Sequence, residues 1–349
     1  MQNAWAIKFA TEEVLQTSIQ LGVNNLIFYG GPGSGVLPAS DQSHSRERNH
    51  YEDYAALVDR VGSYGLRIVG CEGGFISNPD FYDIAFGGPD RDRLIELIAD
   101  EIRDMGRAGI ETFGYNWMPN SVWRSAPIHI RGRTEATAWD SESKNISSIQ
   151  EIPESAIARL ENYDTSSENM WKCLTYWIKT ITPVAESAGI RLGIHPDDPP
   201  VPSLGGIPRI LSSFDAYKKL INIIDSPYNA IEFCQGTFAE MEDARGDGLY
   251  EIIKYFSDRD KILYVHFRNV SGTVPKFNEE FINTGYVDMK RAMEAYQSGG
   301  YTGVFMDDHC PEIFGDTVFP GNWGGYRSRI FAQGYIQAML EAVTGRRLS

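Results

Sequence analysis

The chain has 349 residues and a formal net charge of −15 at pH 7, with 47 Asp and Glu against 32 Lys and Arg. An acidic chain with no Lys/Arg cluster suits neither nucleic acid nor an anionic membrane, and no apolar run approaches the length of a membrane span. Cys71, Cys173, Cys234 and Cys310 are far apart with no C-x-x-C pair, and Met1–Trp5 has no basic, apolar leader pattern, so a reduced, cytoplasmic protein is expected.

In chain order, apolar runs that read as strands lie at Trp5–Phe9, Asn25–Tyr29, Arg67–Cys71 and Ile110–Asn116. Four more follow at Ile190–Ile194, Ala230–Phe233, Ile262–Val265 and Gly303–Met306. Helical patterns lie between them. In Asp90–Arg107 the apolar positions Leu94, Leu97, Ile98, Ile102 and Met105 repeat with the 3.6-residue period. Trp171–Ala188, Asp247–Phe256, Val287–Tyr296 and Arg327–Val343 read the same way. Gly22, Gly65, Gly109, Gly189 and Gly300 stand just before strands 2, 3, 4, 5 and 8, where a helix C-cap favours a left-handed glycine. Eight strand–helix alternations predict an α/β fold, a (β/α)8 TIM barrel in a single domain over residues 1–349, rather than an open doubly wound sheet.

Two segments interrupt the rhythm. A long insertion at about 118–168 separates strand 4 from its helix, and Pro153–Leu160 inside it reads as a short helix. A lid-like loop at about 310–326 carries Pro320-Gly321-Asn322-Trp323-Gly324-Gly325. Both emerge on the carboxyl face of a barrel, as catalytic elements or as packing against a neighbouring subunit in a homo-oligomer.

His195, Cys234, His266 and Asp308 follow the four strands of the second half, 39, 32 and 42 residues apart. A strand–helix unit takes about 30 residues or more, so the four fall at the carboxyl ends of successive parallel strands, where a barrel keeps its chemistry. Singly, a histidine in a strand reads as core, a cysteine as a small buried hydrophobe and an aspartate as a helix cap. Together they make a divalent transition-metal site. The donor set suits Mn2+, Fe2+, Co2+ or Zn2+, while the thiolate disfavours Mg2+ and Ca2+. A structural zinc would use more cysteines at closer spacing, so a catalytic ion with open positions is expected.

The runs around these residues carry a resemblance. Ile194-His195-Pro196-Asp197-Asp198-Pro199-Pro200, Gly206-Ile207-Pro208-Arg209-Ile210, and Tyr115-Asn116-Trp117-Met118-Pro119 followed by Trp123-Arg124 resemble the mannonate dehydratase family of the xylose-isomerase-like TIM barrels. So do Cys234-Gln235-Gly236-Thr237, His266-Phe267-Arg268-Asn269-Val270 and Asp308-His309, in the same order, over roughly residues 90 to 343. The resemblance implies a metal-dependent barrel of hexuronate catabolism that dehydrates D-mannonate to 2-keto-3-deoxy-D-gluconate. It implies His195, Cys234, His266 and Asp308 as metal ligands and places Arg268, His309 and Tyr326 near the substrate. Asn116, Trp123, Arg124, Asp197 and Arg209, in the matching runs, are expected to bind substrate. The chain departs from the family pattern at Met306-Asp307, where Arg-Pro is usual, and at Ile282, where a histidine is usual. Losing a cation and gaining a carboxylate beside the ligand predicts an altered substrate and weak use of D-mannonate itself.

The chemistry is consistent with these residues. Dehydrating a 2,3-dihydroxy acid removes a weakly acidic proton from C2 and a hydroxyl from C3, which calls for a Lewis acid, a base and an acid. His309 adjoins Asp308, Tyr326 lies at the end of the lid, and Arg268 shares the face of His266 by the period of two and can pair with a carboxylate. A metal-dependent sugar isomerase or epimerase is the alternative; such barrels use Glu and Asp with His, so Cys234 counts against it. A barrel that only binds a sugar acid would not need the acid–base groups.

Overall fold

The computed structural model describes residues 1–31, 50–73, 80–150, 152, 154–316 and 325–347. Its centre is a closed barrel of eight strands: β1 (Gln2–Ile7), β2 (Asn25–Tyr29), β3 (Arg67–Glu72), β4 (Thr112–Tyr115), β5 (Arg191–Ile194), β6 (Asn229–Cys234), β7 (Ile262–His266) and β8 (Val304–Met306). Each pairs in parallel with its sequence neighbours, and β8 returns to β1 with Gln2 opposite Val304. Helices between the strands, among them Arg91–Arg107, Ser167–Ala188, Gly248–Ser257, Met289–Ser298 and Tyr326–Thr344, form the outer layer. The expected (β/α)8 barrel is the fold. The second helix of that set starts four residues before the apolar pattern does, because Ser166 caps it by accepting from the Asn169 backbone N–H at 3.3 Å. The five glycines before strands all take positive φ, from 67° to 85°.

Alternation along each strand sorts the core. Trp5, Ile7, Ile231, Phe233, Val265 and Phe305 face the helices and join the large outer core. Ala4, Ala6, Ile27, Ala230, Leu263, Tyr264 and Met306 fill the barrel interior. The β6–β7 register shifts by one residue between Ile231 and Phe233. This bulge lets adjacent Leu263 and Tyr264 both enter the interior and resets the alternation, so that His266 follows Tyr264 inward. The interior has room because β4 has no side chain at Gly114: a Cβ there would lie 1.9 Å from the Tyr264 hydroxyl and 2.2 Å from Glu232 Oε2.

The insertion is more ordered than a loop. Trp123–His129 and Glu135–Asp140 form an antiparallel hairpin, turning through Gly132 at φ 72°. Glu135–Asp140 then pairs with Lys276–Glu280 from the β7–β8 connection, giving a small sheet outside the barrel that also takes in Asn269–Val270 and Ser147–Ser148. Glu154–Arg159 is the short helix expected within Pro153–Leu160. Residues 317–324 of the expected lid, with Trp323, lie outside the described residues. No helix among the described residues is long and apolar enough to cross a membrane.

Candidate active site

The ends of β5, β6 and β7 bring His195, Cys234 and His266 together, with one donor atom from each within 4.8 Å of the others. Asp308 completes the group: its Oδ2 lies 3.6 Å from His266 Nδ1 and 4.0 Å from Cys234 Sγ. Both imidazoles are turned by acceptors behind them. His195 Nδ1 lies 2.7 Å from the Pro196 carbonyl, which can only accept, so the lone pair falls to Nε2. His266 Nε2 lies 3.0 Å from Glu72 and 3.3 Å from Glu232, so its lone pair falls to Nδ1, a buried atom with no hydrogen-bond partner. Burial pushes the Cys234 thiol up, but Arg268 and the protonated His195 beside it outweigh that and hold it well below the usual thiol range; a bound metal ion would take the place of the imidazole proton. His195, Cys234 and His266 thus each offer a donor atom to one small buried region, with the Asp308 carboxylate beside it, and the chain carries groups able to hold a metal ion.

Asp308 is unusual in its backbone. Its φ is +56°, a left-handed conformation that costs an L-residue about 1–2 kcal/mol. Met306, the last residue of β8, points inward; beyond the strand Asp307 turns outward to Arg329 and Asp308 turns back toward His266.

Charged groups surround the cluster. Arg268 Nε lies 3.1 Å from Asp308 Oδ2, and its Nη1 lies 2.9 Å from Glu240. Arg124, from the outer hairpin, grips Asp198 through two bonds of 2.6 and 2.7 Å and reaches Glu279 at 3.4 Å. His309 Nδ1 sits 2.8 Å from Glu279 Oε2, and its Nε2 lies 3.4 Å from Asp308 Oδ2. Burial raises Glu279, but the partly exposed His309 and then Arg268 draw it down to about 2, so it stays a carboxylate. Two buried guanidiniums meet four buried carboxylates here, Asp198, Glu240, Glu279 and Asp308.

Of the residues expected at the site, the structure brings His195, Cys234, His266, Asp308, His309, Arg268 and Arg124 together. It does not bring Tyr326: its hydroxyl meets Thr17 on the first outer helix and its ring packs on Trp5, because the last helix starts at Tyr326 and faces the outer core. Asp197 and Arg209 are spent on the loops: Asp197 accepts from the Leu211 backbone N–H at 2.7 Å, and Arg209, 3.8 Å away, holds the Ser121 carbonyl. Asn116 accepts from the Met118 backbone N–H at 3.3 Å. Trp123 bonds the Asn120 carbonyl and lines an outer cleft of about 600 Å3 with Trp139 and Leu204. The charge expected from Asp307 does not reach the mouth, since its carboxylate points outward to Arg329 at 3.0 Å, and Met306 is sealed in the barrel interior.

Several site residues escaped sequence reasoning. Glu232, two residues before Cys234, and Glu72, at the end of β3, were marked by alternation and position. Asp198 stood in the His-Pro-Asp-Asp run. Glu279 gave no signal, because only the pairing of Lys276–Glu280 with the hairpin carries it to His309.

A closed parallel barrel with groups able to hold a metal ion and titratable side chains gathered at the carboxyl ends of its strands is the arrangement of a (β/α)8 enzyme. A family model described as D-mannonate dehydratase matches residues 31–348. Mannonate dehydratase 2 of Halalkalibacterium halodurans is 32% identical over 313 residues, covering 84% of this chain and 87% of that protein. Mannonate dehydratase of Streptococcus suis is 32% identical over 309 residues, covering 83% of this chain and 82% of that protein. The chain belongs to the D-mannonate dehydratase family and is a hydro-lyase. A crystal structure of mannonate dehydratase from Streptococcus suis serotype 2 superposes with a TM-score of 0.82 at 27% identity, covering 99% of this chain and 95% of that one. A D-tagatose 3-epimerase-like protein superposes at 0.58 with 15% identity, a likeness of fold alone.

Proposed function

We propose that this chain dehydrates D-mannonate with a divalent transition ion held by His195, Cys234, His266 and Asp308. The observation that carries the reading is the gathering of His195, Cys234 and His266 within 4.8 Å of one another at the strand ends, with the Asp308 carboxylate beside them. The donor set fits Mn2+ or Fe2+, and also Co2+ or Zn2+. When bound, the ion supplies Lewis-acid stabilisation of charge developing on the substrate's carboxylate and 2-hydroxyl oxygens.

The chain's own groups do the rest. His309, oriented through Nδ1 by Glu279, turns Nε2 toward the mouth, where it can move a proton at C2 or at the 3-oxygen. Arg268 sits beside Asp308 and offers the cation that Met306 does not, and Arg124 fixes Asp198 in the wall. With Asp307 neutralised by Arg329, the case for rejecting D-mannonate loses its physical basis. The buried, desolvated mouth keeps water from competing for these contacts.

The test is a panel of aldonic acids given to the metal-loaded protein. D-mannonate should yield a 2-keto-3-deoxy acid and one water; an isomer formed without water loss would favour the epimerase reading, and no product from any acid would overturn both. Four free cysteines fit a reducing cytoplasmic setting. A homo-oligomer is also proposed, with a size measurement in solution as its check.

A further inference from the structure

We propose that Arg329 and Asp307 are positioning residues that hold Asp308 in the conformation a metal ligand needs; this rests on the reading of Asp308 as a ligand. The Asp308 carboxylate faces His266 and Cys234 from a backbone that turns left-handed at φ +56°. A lone aspartate has no strong reason to stay there, so neighbouring contacts must hold it. They come from the first turns of the last helix. Arg329 Nη1 donates to the Asp308 carbonyl at 2.6 Å. The same guanidinium lies 3.0 and 3.2 Å from the two carboxylate oxygens of Asp307. One side chain therefore grips the ligand's own peptide and the residue before it.

Asp307 is anchored in turn. Gln333, one helical turn beyond Arg329, donates to Asp307 Oδ1 at 3.0 Å and to the Ala4 carbonyl of β1 at 2.8 Å. Arg329, Gln333 and Asp307 are buried. The clamp thus fastens the end of β8 to the last helix and to the strand that closes the barrel. None of its side chains faces the reacting group, so its effect on chemistry must pass through Asp308.

The test is Co2+ binding, read as affinity by titration and as ligand geometry by visible absorption, without reference to turnover. Arg329→Met should lower Co2+ affinity by about 10- to 100-fold, the usual scale for removing a group that orients a ligand, and change the absorption bands. Arg329→Lys, which keeps a donor but not the fork, should recover part of the loss. A folded Arg329→Met protein with wild-type affinity and spectrum would overturn the proposal. If that variant does not fold, the near-isosteric Asp307→Asn carries the test: weakened Co2+ binding is expected, and unchanged binding overturns the proposal. Failure of the underlying reading shows separately, as a wild-type protein that takes up no Co2+ or a Cys234→Ser protein that binds it normally.

Discussion

Strands β1–β4 and β5–β8 present the same apolar wall to the helices, with Trp5, Phe28 and Phe113 in one half and Leu192, Phe233 and Phe305 in the other. Their ends differ. The second half ends in His195, Cys234, His266 and Asp308, while the first supplies groups that brace them: Glu72 behind His266, and Tyr29 with its hydroxyl 3.5 Å from Asp308. Burial alone cannot tell the halves apart, since both bury their strands; the polar atoms at the carboxyl ends do. Substitutions at the ends of the second half should therefore strike chemistry, and substitutions within the first half should strike stability.

The largest effect is expected at the ligands. Cys234→Ala should abolish stoichiometric metal binding and cut turnover of D-mannonate by about 10³-fold, read by metal analysis and product formation. Next come the acid–base groups. His309→Asn should keep the metal and lose about 10²- to 10⁴-fold in turnover. Glu279→Gln, which removes only the orienting carboxylate, should lose less; equal losses would give Glu279 a direct part in proton transfer. In the first half, Gly114→Ala forces a methyl against Tyr264 and Glu232 and should cost about 1–3 kcal/mol of stability, measured by denaturant titration. A Gly114→Ala protein as stable as wild type would mean that the interior can yield, and would weaken the division between halves. The smallest effect is expected at Tyr326. Tyr326→Phe loses the hydrogen bond to Thr17, worth about 1 kcal/mol, and should leave turnover within about twofold. A fall of about 10²-fold would instead bring Tyr326 to the mouth during catalysis.

The barrel was legible because eight apolar runs and their glycine punctuation are local signals, and Asn25–Tyr29 is a strand with the bounds that its run of apolar residues suggests. The convergence of the four metal-binding candidates was legible for the same reason: strand ends of a parallel barrel must meet. The hairpin was harder to see, because the insertion's strands are stabilised by pairing with residues that stand far along the chain. Glu279 was hidden with it. Asp307 adjoins Asp308 in sequence, yet its carboxylate turns to Arg329 while that of Asp308 turns to His266, and adjacency in sequence does not reveal that split. Tyr326 is hard to place for a related reason: a helix start can turn a side chain to the outer layer, as here against Trp5, as readily as to the mouth.

The seam between β1 and β8 has a consequence for how the molecule is made. Gln2 pairs with Val304, and Gln333 ties the last helix to Ala4. As the chain leaves the ribosome, β1 has only β2 to pair with until nearly everything else has emerged. A half-made barrel is an open sheet with two bare edges, able to recruit strands from another nascent chain. The cell's exposure to that hazard ends only with the arrival of the segment that closes the ring.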